Sequence, residues 1–374
     1  MKKIIVFLGG LCLFMAAGAQ LKTLSGRHIS PQQLEQVLRH QMDSLHIPGI
    51  SFALINNGKV VFHRAMGITN VDTKQKVNPQ SIFEAASLSK PVFAVWVLKM
   101  VDDGLLSLDT PLYKYFPYPD IEHDDRYKLI TARMVLAHTS GFPNWRWFQP
   151  ADSSLDIPPA QLYLKFTPGT QFNYSGEGYL YLSRVIAHLN HVSIQQLDQL
   201  FQQQLATPLH MRYAWFSWNA KIRGHKVTGH NAGKANYRTW HVFPGQDSTW
   251  FGAAGGLNTE ALSYSQFIIH LINLKDTRMF NVQVQLPTDD NGEKSDTAWG
   301  LGIAIRPMPF GTIYEHTGDN GDFKAGMAIN RKNKTGYVVF TNCDNGNIFN
   351  KQLRAYLSMG SGASIIHSRK KRSK

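Results

Sequence analysis

Ser87 and Lys90 sit three residues apart in the run Phe83-Glu84-Ala85-Ala86-Ser87-Leu88-Ser89-Lys90-Pro91. Positions i and i+3 share one face of a helix, so a helix starting here brings the lysine amine to the serine hydroxyl. A serine hydroxyl is a weak nucleophile at its free pKa and needs an adjacent base. The pairing therefore reads as serine acyl transfer. The competing reading is structural: serine is a favoured helix cap, and Lys90 would then be a solvated first-turn residue. A second Ser-x-x-Lys, Ser368 to Lys371, falls in a basic tail and is accidental. Asn78-Pro79 and Gln80-Ser81 mark a turn before the motif, and Pro91 suits an early helical position. Val92, Phe93, Val95, Trp96, Val97 and Met100 continue as a buried helix.

Three further segments carry polar chemistry. Phe172-Asn173-Tyr174-Ser175-Gly176 lies in a loop leading into a helix at Gly178. A phenol beside a lysine relays a proton if positive charge lowers its pKa. Tyr314-Glu315-His316-Thr317-Gly318-Asp319 ends a strand, where the edge offers backbone N–H groups and His316 a switchable donor. Leu136-Ala137-His138-Thr139-Ser140-Gly141 is a helix end and turn, and His138 reads as structural. On the residues alone, rim packing for Tyr174 and a plain strand-end turn for His316 stay open. Trp145, Trp147 and Phe148, with Trp240 and Trp250-Phe251, are candidates to wall a cleft, against ordinary packing as the simpler reading. His188 and His191 share a helix face without a third ligand, so neither a metal site nor a cofactor is expected.

Taken together, these segments resemble the serine β-lactamase and penicillin-binding-protein superfamily, in its class C β-lactamase-like, carboxypeptidase/esterase-like branch. Ser87-Leu88-Ser89-Lys90 is similar to the family's Ser-x-x-Lys. Tyr174-Ser175-Gly176 is similar to its Tyr-x-Asn, and His316-Thr317-Gly318 to its Lys-Thr-Gly in a His-Thr-Gly form. His138-Thr139-Ser140-Gly141 and Gly255-Gly256-Leu257 with Thr259 resemble further signatures, and the likeness runs from Gln32 to Leu357. The resemblance implies an acyl-enzyme on Ser87, with Lys90 and Tyr174 as base and acid. It implies an oxyanion hole from the backbone N–H groups of Ser87 and Asp319, and substrate orientation by His316, Thr317 and Gly318. The implied partner is a small-molecule or peptide-like ester or amide.

Two departures refine that expectation. Gly176 stands where the family's asparagine usually holds the substrate amide and the lysine, and His316 replaces a fixed positive charge. Both shift the expectation from a β-lactamase toward an esterase or D-peptidase. The alternatives are a catalytically weak penicilloyl- or peptidoglycan-binding protein and a true class C-like β-lactamase. Read as an exposed loop glycine, Gly176 should accept asparagine with a change in substrate preference rather than stability.

The elements that must position these residues follow from periodicity. Gln32 to Leu45 has helical spacing after Ser30-Pro31. Gly49 to Ile55 and Lys59 to Met66 flank Asn56-Asn57-Gly58 as a hairpin. Helices are expected over Gly178 to Asn190, Ser193 to Leu205, Thr259 to Leu274 and Ile348 to Leu357. Strands are expected over Gly300 to Arg306, Thr312 to His316, Lys324 to Asn330 and Gly336 to Asn342. Strands near both ends and helices between them make an α+β fold, and the resemblance implies that it is of the β-lactamase/transpeptidase-like type. Its antiparallel sheet is flanked by helices and its active site lies in a cleft. The α/β part is expected over 20–109 and 246–359, with a mostly helical insertion over 110–245.

Composition bounds the rest. Met1-Lys2-Lys3, an apolar run from Ile4 to Ala17, and Ala17-Gly18-Ala19 before Gln20 read as a signal peptide over 1–19. The expected destination is therefore export, periplasmic or secreted. Cleavage would leave Cys343 as the one cysteine, too few for an internal disulfide, so a large core must supply stability. The net charge is +13, with two charges in 1–19 and five in Arg369 to Lys374, leaving about +6 on the body. The basic tail over 360–374 is expected to be disordered and able to touch an anionic envelope surface. No phosphate-binding glycine loop, repeat or nucleic-acid module is present, so nucleic acid is not an expected partner.

Overall fold

The structure is a computed structural model describing residues 20–147, 161–237, 249–288 and 295–359. Its centre is an eight-stranded antiparallel sheet. In chain order the elements used below are α1 (Pro31–Ser44), β1 (Gly49–Asn56), β2 (Lys59–Gly67), β3 (Phe83–Glu84), α2 (Ser89–Asp102), α3 (Gly176–Leu189) and β4 (Ala214–Trp215). They continue as β5 (Asn258–Thr259), α4 (Ala261–Asn273), β6 (Val284–Gln285), β7 (Ala298–Trp299), β8 (Ala304–Arg306), β9 (Ile313–Asp319), β10 (Lys324–Asn330), β11 (Thr335–Thr341) and α5 (Gly346–Ser358). The sheet order is β6-β7-β8-β9-β10-β11-β1-β2.

Strand alternation sorts the side chains into two cores. Phe52, Leu54, Ala328, Tyr337 and Val339 face α1 and α5, meeting Leu34, Leu38, Phe349 and Leu353. Ala53, Ile55, Met327, Val338 and Phe340 face the other way, against α2, α4 and the helical middle of the chain. Successive strand residues point to opposite faces, so one sheet seals both cores and β1 is buried along its whole length. Local signals agree with this layout. Ser30 and Gln33 close a capping box on α1. Asn57 and Gly58 both take positive φ, 50° and 75°, as the two-residue turn between β1 and β2 requires.

The α+β expectation stands, with adjustments. The helix expected over Ser193 to Leu205 is an α-helical stretch, Leu197–Phe201, continued by a π-helical one, Gln202–Ala206. Of the strand expected over Gly300 to Arg306 only β8 is strand; residues 300–303, with Gly302 at φ 77°, form the turn that joins it to the short β7 before them. β9 runs past His316 to Asp319. A small sheet, β3-β5-β4, crosses behind the Ser87 segment. No helix among the described residues is long and apolar enough to cross a membrane. Residues 1–19 and 360–374, with Phe148 and Trp240, lie outside the described residues.

Candidate active site

Ser87 lies in a short 3-10 turn, Ala86–Leu88, that runs straight into α2. It is not a cap: the residue before α2 is Leu88, and no side chain caps that end. The turn is held from three sides. Ser89 Oγ donates to Ala86 O at 2.6 Å and accepts from Leu257 N at 2.9 Å. Tyr264 on α4 donates its hydroxyl to Leu88 O at 2.9 Å. Ala85 N donates to Leu257 O at 2.8 Å. Ala86 sits at φ +48°, a costly backbone setting for a residue with a Cβ. This fixed turn exposes part of Ser87 while its neighbours are buried.

Lys90 is one turn along and fully buried rather than solvated. Its Nζ donates to Ser87 Oγ at 3.3 Å and to Ala254 O at 2.6 Å. It also lies 4.6 Å from the Tyr174 ring centre and 5.4 Å from that of Tyr179. One carbonyl and two ring faces offset only part of the lost hydration. Burial therefore lowers the lysine pKa from 10.5 to about 7. An amine in that range is neutral in a large fraction of molecules at physiological pH and can take a proton from Ser87.

Tyr174 corrects an expectation. A lysine's charge was expected to lower the phenol pKa, but burial raises it well above the ordinary range, and the Ser87 hydroxyl beside it opposes that only in part. Tyr174 therefore stays a protonated phenol, a donor rather than a base.

His138 supports that tyrosine from behind. Its backbone takes φ +58°, its side chain is fully buried, and its ring lies 4.2 Å from that of Tyr174. Its Nδ1 accepts from Ser175 N at 3.0 Å, so the neutral ring carries its proton on Nε2. Burial, aided by Lys90 and His316, holds the His138 pKa well below 6.5. His316 is buried too, and its Nδ1 donates to Thr317 O at 2.7 Å, leaving Nε2 as an acceptor. Burial first, then Lys90, lowers its pKa to about 3. Trp299 on β7 lies between these rings, 5.1 Å from His138, 5.9 Å from Tyr174 and 5.4 Å from His316. His138 Nε2, Tyr174 Oη, Trp299 Nε1 and His316 Nε2 are buried without hydrogen-bond partners. Four such atoms in one cluster form an uncharged wall with donor and acceptor capacity.

The edge of β9 completes the group. A Cβ on Gly318 would stand 2.5 Å from Ala85 O and 3.2 Å from Ser87 N, so glycine is what lets the strand lie against the serine turn. Asn320 donates its N–H to Phe323 O at 3.0 Å, closing the hairpin to β10. Antiparallel alternation then turns the Asp319 N–H away from β10, beyond the last residue that β8 covers. Asp319 itself is exposed and pairs with Lys324. Asn320 ties this end to the rest of the site, reaching Glu84 Oε2 at 2.7 Å and Gly255 O at 3.3 Å. The structure thus brings Ser87, Lys90, Tyr174, His316, Thr317, Gly318 and the Asp319 backbone to one place.

Gly176 is not an exposed loop glycine. It is the buried first residue of α3, following the cap Ser175, whose Oγ accepts from Gly178 N at 3.1 Å. The Trp145 indole lies on it: a Cβ there would fall 2.4 Å from Trp145 Cζ2. The segment carrying Trp145 is pinned to α3. Gly176 N donates to Asn144 O and Asn144 Oδ1, both at 3.0 Å. Arg146 grips the buried Glu177 at 2.8 Å and Asp120 at 2.5 Å. Of the other expected cleft aromatics, Phe251 is instead core, packed on Phe93, Trp96, Phe201 and Phe216. The sequence reading missed the site roles of Trp299 and Asn320; their only signal was nearness to β8 and to the His316 motif. Among the described residues no group of acidic, histidine or cysteine side chains is placed to hold a metal.

Comparison with known proteins bears on the family and the fold. The profile of the family described as Beta-lactamase matches residues 34–358. "Protein flp" of Staphylococcus aureus (strain MRSA252) is 25% identical over 324 residues, covering 84% of this chain and 63% of its own. The chain therefore spans less than two thirds of the length of that curated relative. The mitochondrial serine beta-lactamase-like protein LACTB of Bos taurus is 28% identical over 110 residues, 29% of this chain and 20% of its own. Among solved structures, the octameric penicillin-binding protein homologue from Pyrococcus abyssi superposes with a TM-score of 0.71 at 20% identity, covering 89% of this chain and 78% of that one. The D-alanine carboxypeptidase AmpC from Burkholderia cenocepacia gives 0.67 at 18% identity, covering 87% and 99%.

Proposed function

The chain belongs to the Beta-lactamase family, and from that premise we propose that it is a serine hydrolase cleaving an ester or amide through an acyl-enzyme on Ser87. The observation that carries this reading is Lys90: a fully buried amine with a pKa near 7, 3.3 Å from a partly exposed serine hydroxyl. Ser87 Oγ adds to the substrate carbonyl as its proton passes to Lys90 Nζ. The carbonyl oxygen, now an oxyanion, is met by the N–H groups of Ser87 and Asp319; each such donor is worth about 10²–10³ in turnover. The bond to the leaving group breaks as Tyr174 gives its phenolic proton to the departing oxygen or nitrogen and is reprotonated by Lys90, so the proton taken from Ser87 leaves with that group. Water then cleaves the acyl–Ser87 ester, releasing the acid and restoring the serine. His316 and Thr317 border the substrate along β9.

Trp145 on Gly176 favours a second reading, a covalent binder that releases its acyl group slowly, since position 176 carries no side-chain amide to position substrate. Intact mass after a fluorophosphonate probe and, separately, a fluorescent penicillin tests both. A Ser87 adduct that Ser87→Ala abolishes, with an unchanged melting temperature, supports the nucleophile; labelling that survives the substitution refutes it. A penicillin adduct that persists for hours separates the binder from the hydrolase. Export is part of the proposal and rests on the pattern over Met1 to Gln20; N-terminal sequencing of protein from the source cell, finding Gln20 first, would support it.

A further inference from the structure

We propose that the substrate is an ester uncharged on both sides of the scissile bond, apolar on its acyl side, and not a carboxylate-ended peptide or lactam. This rests on the acyl-enzyme reading and goes beyond it to the substrate class. Three observations carry it. The first is His316, the side chain that borders the leaving-group path on β9. It is buried, its Nδ1 is engaged by Thr317 O, and its Nε2, also buried, carries an unpartnered lone pair in the cluster with Tyr174 and Trp299. A lone pair repels a carboxylate and accepts from an alcohol or water.

The second is the state of the cations on and around β9. Lys324 is paired with Asp319 and Lys226 holds Glu84 at 2.9 Å, while Arg306 and Arg354, which share Glu315, lie on the opposite face of the sheet, with Ala328 and α5. Taking Lys226 or Lys324 for a substrate carboxylate would strand its present acid, which is costly for the buried Glu84. Among the described residues a carboxylate entering here would meet no further cation beyond Lys90, whose amine is engaged by Ser87 and Ala254, and would lose hydration. The third is Trp145. Its indole covers Gly176 where a side-chain amide would otherwise meet the acyl group. Arg146, Glu177 and Asp120 fix the backbone beside it. The acyl group therefore meets an aromatic face, which rewards apolar surface and offers a peptide-like amide nothing at that position.

The test is a matched pair of esters with the full chain: phenyl phenylacetate and 3-carboxyphenyl phenylacetate. A meta carboxylate barely alters the leaving ability of the phenol, so kcat/KM reports recognition. The expected result is a preference of at least about tenfold for the uncharged ester. His316→Lys should narrow or reverse that preference, and Trp145→Ala should lower the ratio of phenylacetyl to acetyl ester turnover. Equal or faster hydrolysis of the carboxy ester by the unaltered protein overturns the inference, whether or not the variants fold. Fluorophosphonate labelling at Ser87 with turnover of neither ester also overturns it while leaving the nucleophile intact. Absence of both labelling and turnover instead sinks the acyl-enzyme reading itself.

Discussion

At the scale of single residues, the chemistry turns on how burial treats ionisable groups. Lys90 has to lose its proton to act as the base, so kcat/KM for an uncharged ester should climb with pH and reach half its plateau near 7. A profile flat between pH 6 and 8 would remove Lys90 from that role, because His316 titrates near 3 and cannot supply the limb. The same depression affects stability. Between about 7 and the ordinary lysine value of 10.5 the unfolded chain binds more protons than the folded one, so the contribution of Lys90 to stability grows as pH rises through that window. The Ser87–Lys90 pairing was legible because an i, i+3 spacing is a local property. The neutral Tyr174 was not, since sequence showed its charged neighbour and hid its burial. Gly176 was misread for a related reason: what makes it glycine is an indole from far upstream. Gly176→Ala should lower the melting temperature by several degrees, and adding Trp145→Ala should recover part of that loss. Additive losses in that double-mutant cycle would mean the two residues do not share the space.

At the scale of elements, the site depends on a strand lying against a turn. Gly318 allows β9 to approach the Ala85–Ser87 backbone, and nothing larger fits without parting them. Gly318→Ala should therefore cut turnover by about tenfold to a hundredfold, the range expected when reacting groups move by a fraction of an ångström to one ångström. The melting temperature should fall far less, since one methyl group at a strand end leaves both cores intact. Comparable losses in both would assign Gly318 to folding rather than alignment. Most strands and helices were readable from alternation and helical spacing, as β1, β10 and β11 illustrate. The failures came where tertiary packing overrode the local pattern. Leu197 to Ala206 widens into a π-helical stretch, and the turn at Gly302 takes up the first part of the strand read over Gly300 to Arg306.

At the scale of the whole molecule, strands from near both ends of the chain share one sheet, and helices from both ends cover one of its faces. Arg27 Nη2 reaches Tyr356 O at 3.0 Å and Ser25 Oγ reaches Met359 O at 2.5 Å, joining the first described residues to α5. A chain ending at residue 344 loses Phe349, Leu353 and Leu357 from the second core. It should be recovered as an unfolded or aggregated product with no native circular-dichroism transition; a cooperative transition in that fragment would show that α5 is dispensable. Cys343 sits at this same seam, between β11 and α5, buried and unpaired. Burial raises its thiol to a pKa of about 11, so the native protein keeps it protonated and out of reach. That makes the residue a built-in chemical clock. Its rate of modification by an aromatic disulfide measures how often the seam between the last strand and the last helix opens, and a bound acyl group that tightens the distant serine turn can be asked, through that rate, whether it steadies the seam as well.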